Sequence, residues 1–96
     1  MEQERKAILD DAEKQIEELT GGKTEYLPWI PQHAFPLGGA IVACGTEIER
    51  LGRALPLPSL KALTGLYVSL HRYAFELWRD RETVELLLKP VLGRKN

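Results

Sequence analysis

Few side chains in this sequence are of the types that bind metals or attack substrates. Its two histidines and single cysteine, His33, Cys44 and His71, lie far apart in the chain. They lack paired spacings such as CxxC or HxxxH, on which zinc sites are commonly built. Cys44 lies among small apolar residues, where a free cysteine is usually a buried hydrophobe and not a nucleophile. The sequence therefore predicts no metal site, no cofactor and a structural role for Cys44.

Phosphate binding and acid–base catalysis are also poorly supported. Gly39 and Gly45-Thr46 flank a short apolar run, but the lysine and the glycine spacing of a phosphate-binding loop are missing. The adjacent carboxylates Asp10 and Asp11 belong to the most charged predicted helix, where neighbouring positions point in different directions. Solvated carboxylates of this kind are poor general acids. We therefore expect a protein that is not an enzyme.

Length and composition are those of one small folded domain. The 96 residues are 44% hydrophobic and 28% charged, which is ordinary for a globular chain. The formal net charge of −1 creates no overall field that would attract nucleic acid or an anionic membrane. One cysteine forms no internal disulfide, which is typical of a reducing compartment. These features predict a cytoplasmic location.

A membrane-spanning segment is not expected. Residues 26–46 carry no charged side chain, but three prolines interrupt the first half of this stretch. The remaining apolar run, of about ten residues, is shorter than the roughly 20 residues that a spanning helix requires. The N-terminal residues are charged and do not resemble an apolar export signal.

Hydrophobic periodicity predicts an all-α fold, a small bundle of three to four helices formed by residues 1–96 as a single domain. The first helix has a narrow apolar stripe, and most of its remaining positions are charged or polar. The residues of the stripe, which recur at helical spacing, are Ile8, Ala12, Ile16 and Leu19. The glycines that follow it supply a common helix end. The predicted segments are helix 2–20, loop 21–36, helix 37–55, helix 59–79 and helix 81–89.

The predicted loop is rich in aromatic residues and prolines. Tyr26, Trp29 and Phe35 alternate with Pro28, Pro31 and Pro36. Proline fixes its own φ and disfavours helix at the preceding residue, so we expect extended or turn-like backbone. Two interpretations remain open: the aromatic side chains close the open end of the bundle, or they form an ordered recognition loop.

The second and third predicted helices form an antiparallel pair. The second has a 3-4-3-4 apolar spacing, although residues 40–44 alone also fit a short buried strand. The third is apolar over so much of its circumference that it should be the central helix of the fold. Its apolar positions are Leu60, Leu63, Leu66, Tyr67, Leu70, Tyr73, Ala74, Phe75, Leu77 and Trp78.

Charge is unevenly distributed along the chain. Residues 1–49 carry four basic and ten acidic side chains, a net charge of −6, whereas residues 50–96 carry nine basic and four acidic ones, a net charge of +5. This asymmetry permits three interpretations: an acidic helix packed beside a basic helix, pairing of two copies, or a basic surface for another partner.

These features predict a non-enzymatic protein-interaction module, a homodimer or a subunit of a larger complex. The predicted partner-binding residues are Ile8, Ala12, Ile16 and Leu19 of the first helix, with Tyr26, Trp29 and Phe35 of the loop. The alternative is a nucleic-acid-associated regulator, whose phosphate-binding residues would be Arg50, Arg53, Lys61, Arg72 and Arg79.

Overall fold

The regular secondary structure is helical throughout the part of the chain that the structure describes. The structure, a computed structural model, describes residues 2–83, 85 and 86. The longer helices in this described part are α1 (Glu2–Thr20), α2 (Tyr26–His33), α3 (Phe35–Leu51) and α4 (Leu57–Arg79). The prediction of an all-α bundle is confirmed. Residues 81–83, 85 and 86 are also helical, and the other positions of the helix predicted over 81–89 lie outside the described residues.

Helix α2 occupies most of the predicted proline-rich loop and α3 begins at Phe35, so the loop prediction was wrong for residues 26–33, 35 and 36. The helix predicted over 37–55 ends at Leu51, so that prediction was wrong for residues 52–55. Pro28 is the third residue of α2, in the first turn, where backbone amides have no intrahelical acceptor and a missing N–H costs little. Pro31 lies inside the helix, but α2 ends two residues later, which limits the disruption. Pro36 is the second residue of α3, a position that also favours proline.

The end of α1 follows from two glycines. Gly21 and Gly22 have φ values of +63° and +79°, in the left-handed region that residues with a side chain rarely adopt. The Gly22 amide donates a hydrogen bond to the Glu17 carbonyl oxygen, 3.1 Å away, which satisfies a carbonyl of the last turn. The chain can therefore turn sharply into α2.

Helix α4 is the centre of the bundle, as predicted, because it packs against α1, α2 and α3. Gly45 of α3 contacts the Tyr67 ring, and the Cys44 thiol donates to the Leu63 carbonyl oxygen at 3.7 Å. Ile41, earlier in α3, packs near Phe75, later in α4. The two helices therefore run antiparallel.

Part of the core lies at the α2 end of the bundle, and other apolar residues, such as Leu60 of α4, are buried elsewhere. Tyr26, Ile30, Ile41, Ala74 and Phe75 form one buried cluster from three helices. Full burial of the isoleucine and phenylalanine side chains contributes about 1.5–3 kcal/mol each. Much of the apolar surface of α4 lies outside this cluster.

Candidate interaction surfaces

The apolar stripe of α1 is largely used inside the chain. Ala12 is buried, whereas Ile8, Ile16 and Leu19 are half-buried. Because α1 packs along α4, the structure places these predicted partner-binding residues mainly at an intramolecular helix contact. Only their outer edges remain free to touch another molecule.

The three aromatic residues of the predicted recognition loop differ in their exposure to solvent. Tyr26 is 2% exposed, and its ring packs edge-on against His71 and Phe75. Trp29 is half-buried and donates its indole N–H to a Glu85 carboxylate oxygen at 2.9 Å. Phe35, 71% exposed, is on the surface. Tyr26 thus matches the interpretation in which an aromatic side chain closes the bundle.

The five basic residues of the nucleic-acid alternative lie on two helices or next to them. Lys61, Arg72 and Arg79 are spaced by nearly whole helical turns, so they share the solvent face of α4. Arg50 pairs with Glu47 at 2.8 Å within α3, and Arg53 follows that helix. The nucleic-acid alternative stays a prediction, and Lys61, Arg72 and Arg79 are the three of its five residues that share one helix face.

A second apolar stripe runs along α4; Leu66 and Tyr73 are its exposed members, and Leu70 packs against the buried cluster. We call this stripe the α4 stripe; its residues, spaced 3-4-3-4, are Leu63, Leu66, Leu70, Tyr73 and Leu77. Leu66 is 51% exposed and Tyr73 is 59% exposed, while the other three are half-buried. This spacing is that of a coiled-coil seam. Within the described chain the seam is incompletely covered.

A groove separates α1 from α3 above α4. We call it the α1/α3 groove; it is lined by Glu13 and Ile16 of α1, Ile48 and Glu49 of α3, and Tyr67 and His71 of α4. The Ile16 end has a volume of about 530 Å³ and the His71 end about 420 Å³. Both lie in the size range of ligand-binding clefts.

Two carboxylates act on the aromatic ring in this groove. Burial is the main cause that raises the pKa of Tyr67, and electrostatic interactions with Cys44, Glu49 and Glu13 raise it further. Glu13 belongs to α1 and Glu49 to α3, and both side chains interact electrostatically with the Tyr67 phenol. Burial also raises the pKa of the Cys44 thiol, which opposes formation of a nucleophilic thiolate.

His71 is the most unusual polar group of the bundle. It is buried, and its Nδ1 atom lies 2.6 Å from the Tyr26 hydroxyl oxygen. Its other nitrogen, Nε2, is buried without a hydrogen-bond partner among the described residues. A buried polar atom left unpaired costs about 1–3 kcal/mol. Sequence periodicity alone placed His71 beside an apolar seam and could not reveal the pairing with Tyr26.

We expect His71 to make the protein less stable in mild acid. Burial lowers the pKa of His71 from its ordinary value of 6.5, whereas the unfolded chain titrates near that value. Below about pH 6.5 the unfolded state therefore binds more protons, and the free energy of unfolding falls by up to about 1.4 kcal/mol per pH unit. Urea unfolding between pH 5 and 7 measures this slope.

The two histidines provide matched variants for this test. His71→Gln should flatten the slope, since glutamine does not titrate but its side-chain amide can still form a hydrogen bond with the Tyr26 hydroxyl group. His33→Gln, which removes the half-buried histidine of α2, should change the slope less than His71→Gln does. Equal slopes in the wild type and in His71→Gln would contradict the role of His71.

Comparison with known proteins found no match, since no family model, no curated protein and no solved structure is significantly similar to this chain. Within the described residues, no helix combines the length and apolar character needed to cross a bilayer. His33, Cys44 and His71 do not converge with acidic residues into a metal-binding group in that same part of the chain.

Proposed function

We propose that this chain is a non-enzymatic protein-interaction module that forms a homodimer through the α4 stripe. The observation that carries the proposal is the exposure of Leu66 and Tyr73, two large apolar side chains in coiled-coil spacing on the longest helix. Exposed apolar patches that form a contiguous line commonly mark interaction sites.

A second copy is the partner that best fits the stripe. From Leu63 to Leu77 the stripe is about 21 Å long at 1.5 Å per residue, long enough for two heptads of helix contact. In a two-fold dimer the same surface is used by both chains, and an apolar seam without opposing charges is self-complementary. Ala62 and Ser69, small exposed residues one turn before Leu66 and Tyr73, would allow close approach of a neighbouring helix.

The proposal includes a cytoplasmic location. Its support is the single cysteine, which is free and buried in the structure, since proteins of oxidising compartments commonly carry disulfides.

Molar mass by light scattering after size exclusion tests self-association. We expect twice the chain mass of 10.9 kDa at both low and high salt, because an apolar seam is not screened by ions. A dimer lost at high salt would point instead to pairing of the acidic and basic halves. A monomer at every salt and protein concentration would contradict the homodimer.

A further inference from the structure

Three side chains join α2 to the residues that follow α4. Trp29 of α2 donates its indole N–H to a Glu85 carboxylate oxygen at 2.9 Å, and the same oxygen lies 3.8 Å from Nε2 of His33. The imidazole ring of His33 stacks on the Trp29 ring, with the ring centroids 4.8 Å apart and an angle of 14° between the planes. We call this cluster the α2 clasp; its residues are Trp29, His33 and Glu85.

A backbone contact determines which ring nitrogen of His33 accepts a proton. Nδ1 lies 3.1 Å from the Trp29 carbonyl oxygen. Because a carbonyl oxygen only accepts hydrogen bonds, Nδ1 carries the hydrogen and Nε2 of the neutral ring has a lone pair. This lone pair lies beside the Glu85 carboxylate, and two acceptors form no hydrogen bond with each other. A proton on Nε2 turns the contact into a donor with positive charge beside an anion.

The electrostatic surroundings of His33 are simple. Residues 26–46, which include α2 and most of α3, carry no aspartate, glutamate, lysine or arginine. Among the described residues, the ion pair of His33 is the one with Glu85. Three cations near this end of the bundle lie over aromatic rings of α4, and they are Lys23, Arg79 and Arg81. The charge that acts on His33 across the α2 clasp is therefore the Glu85 carboxylate.

We propose that the α2 clasp is a pH-sensitive switch, which protonation of His33 tightens in mild acid. The imidazolium attracts the Glu85 carboxylate, and a cation is also favoured on the face of the Trp29 indole. Histidine is the side chain whose charge ordinarily changes between about pH 5 and 8. Acid thus fastens the residues after α4 to α2, whereas it weakens the core around His71. The switch does not depend on dimer formation through the α4 stripe.

The test is NMR of the full chain, in which the indole N–H of Trp29 reports on the α2 clasp. Its exchange with water is measured at about pH 7.5 and pH 5.5, relative to the indole N–H of Trp78, the other tryptophan of the chain. This ratio removes the effect of pH on indole exchange itself. We expect the ratio to fall at least threefold in acid, because a tighter clasp protects the Trp29 proton. A ratio that is unchanged or rises in acid would overturn the proposal.

Variants identify the charges that the switch requires. Glu85→Gln keeps an oxygen acceptor for Trp29 but removes the charge, and His33→Gln removes the titrating ring. Each should abolish the change of the exchange ratio with pH. Glu82→Gln, at an exposed position of the same segment, is the matched control and should keep it. A pH response retained by Glu85→Gln or by His33→Gln, with helicity intact by circular dichroism, would overturn the proposal.

A further variant separates the α2 clasp from the buried histidine. Protonation of His71 would loosen the core and could also alter exchange at Trp29. His71→Gln should therefore retain the protection of the Trp29 indole in acid. Loss of the pH response in His71→Gln would assign it to the core and overturn the role of His33.

Discussion

Replacing Tyr26 by alanine is expected to lower the free energy of unfolding by about 3–5 kcal/mol, the range for large aromatic side chains in a core. Tyr26 joins α2 to α4, since its ring packs against Phe75 and its hydroxyl group pairs with His71. A small domain has a total stability of only about 5–15 kcal/mol. The alanine variant should therefore be near the limit of folding, which urea unfolding will measure.

Two milder variants separate the ring of Tyr26 from its hydroxyl group. Tyr26→Phe keeps the ring and leaves Nδ1 of His71 unpaired, so it should cost about 1–3 kcal/mol. Thr46→Val removes a hydroxyl from an exposed side chain of α3 that lies outside the α4 stripe and should change stability by less than about 0.5 kcal/mol. If Tyr26→Ala costs no more than Thr46→Val, the position of Tyr26 in the core is wrong.

Introducing charge into the α4 stripe is expected to abolish the dimer without unfolding the chain. The double variant Leu66→Glu and Tyr73→Glu places two carboxylates in each half of the seam, where a dimer would bury them without partners. We expect the dissociation constant to rise at least 100-fold, about 2.7 kcal/mol, as measured by sedimentation equilibrium. Helicity should be retained, because both side chains are largely exposed in the single chain.

Val42→Glu is the matched control for the stripe variant. Val42 is also a large, mostly exposed apolar residue, but it lies at the α1/α3 groove on a different helix. The same kind of substitution there should leave the dissociation constant within about threefold of the wild type. A dimer disrupted by Val42→Glu and retained by the stripe variant would move the interface to the groove.

The fold was predictable where local patterns determine structure. The long apolar periodicity of α4 predicted the central helix, and the pair Gly21 and Gly22 predicted the end of α1. The helix α2 was missed because proline was treated as a helix breaker at every position. Pro28 lies in the first turn of α2, where its missing N–H group has no intrahelical acceptor. Pro31 lies two residues before the end of α2, so little of the helix follows the hydrogen bond that it removes.

The candidate surfaces were less predictable, because they depend on which residues the bundle covers. Sequence periodicity identified Leu66 and Tyr73 as part of a wide apolar face but assigned that face to the core. Whether an apolar stripe of α4 is covered depends on how many helices pack around α4. A local sequence pattern does not predict that number. Likewise, Tyr26 and His71 are 45 positions apart, so their pairing arises only from the tertiary fold.

Disulfide cross-linking tests the central claim, self-association through the α4 stripe, most directly. In a Cys44→Ala background, cysteine would replace Ala62 or Ser69 beside the stripe, or Thr46 at the α1/α3 groove as the control. Two cysteines form a disulfide only when their Cα atoms lie within about 7 Å. Mild oxidation should yield a covalent dimer from at least one stripe-side variant and none from Thr46→Cys. Cross-linking through Thr46→Cys alone would contradict the stripe as the dimer interface.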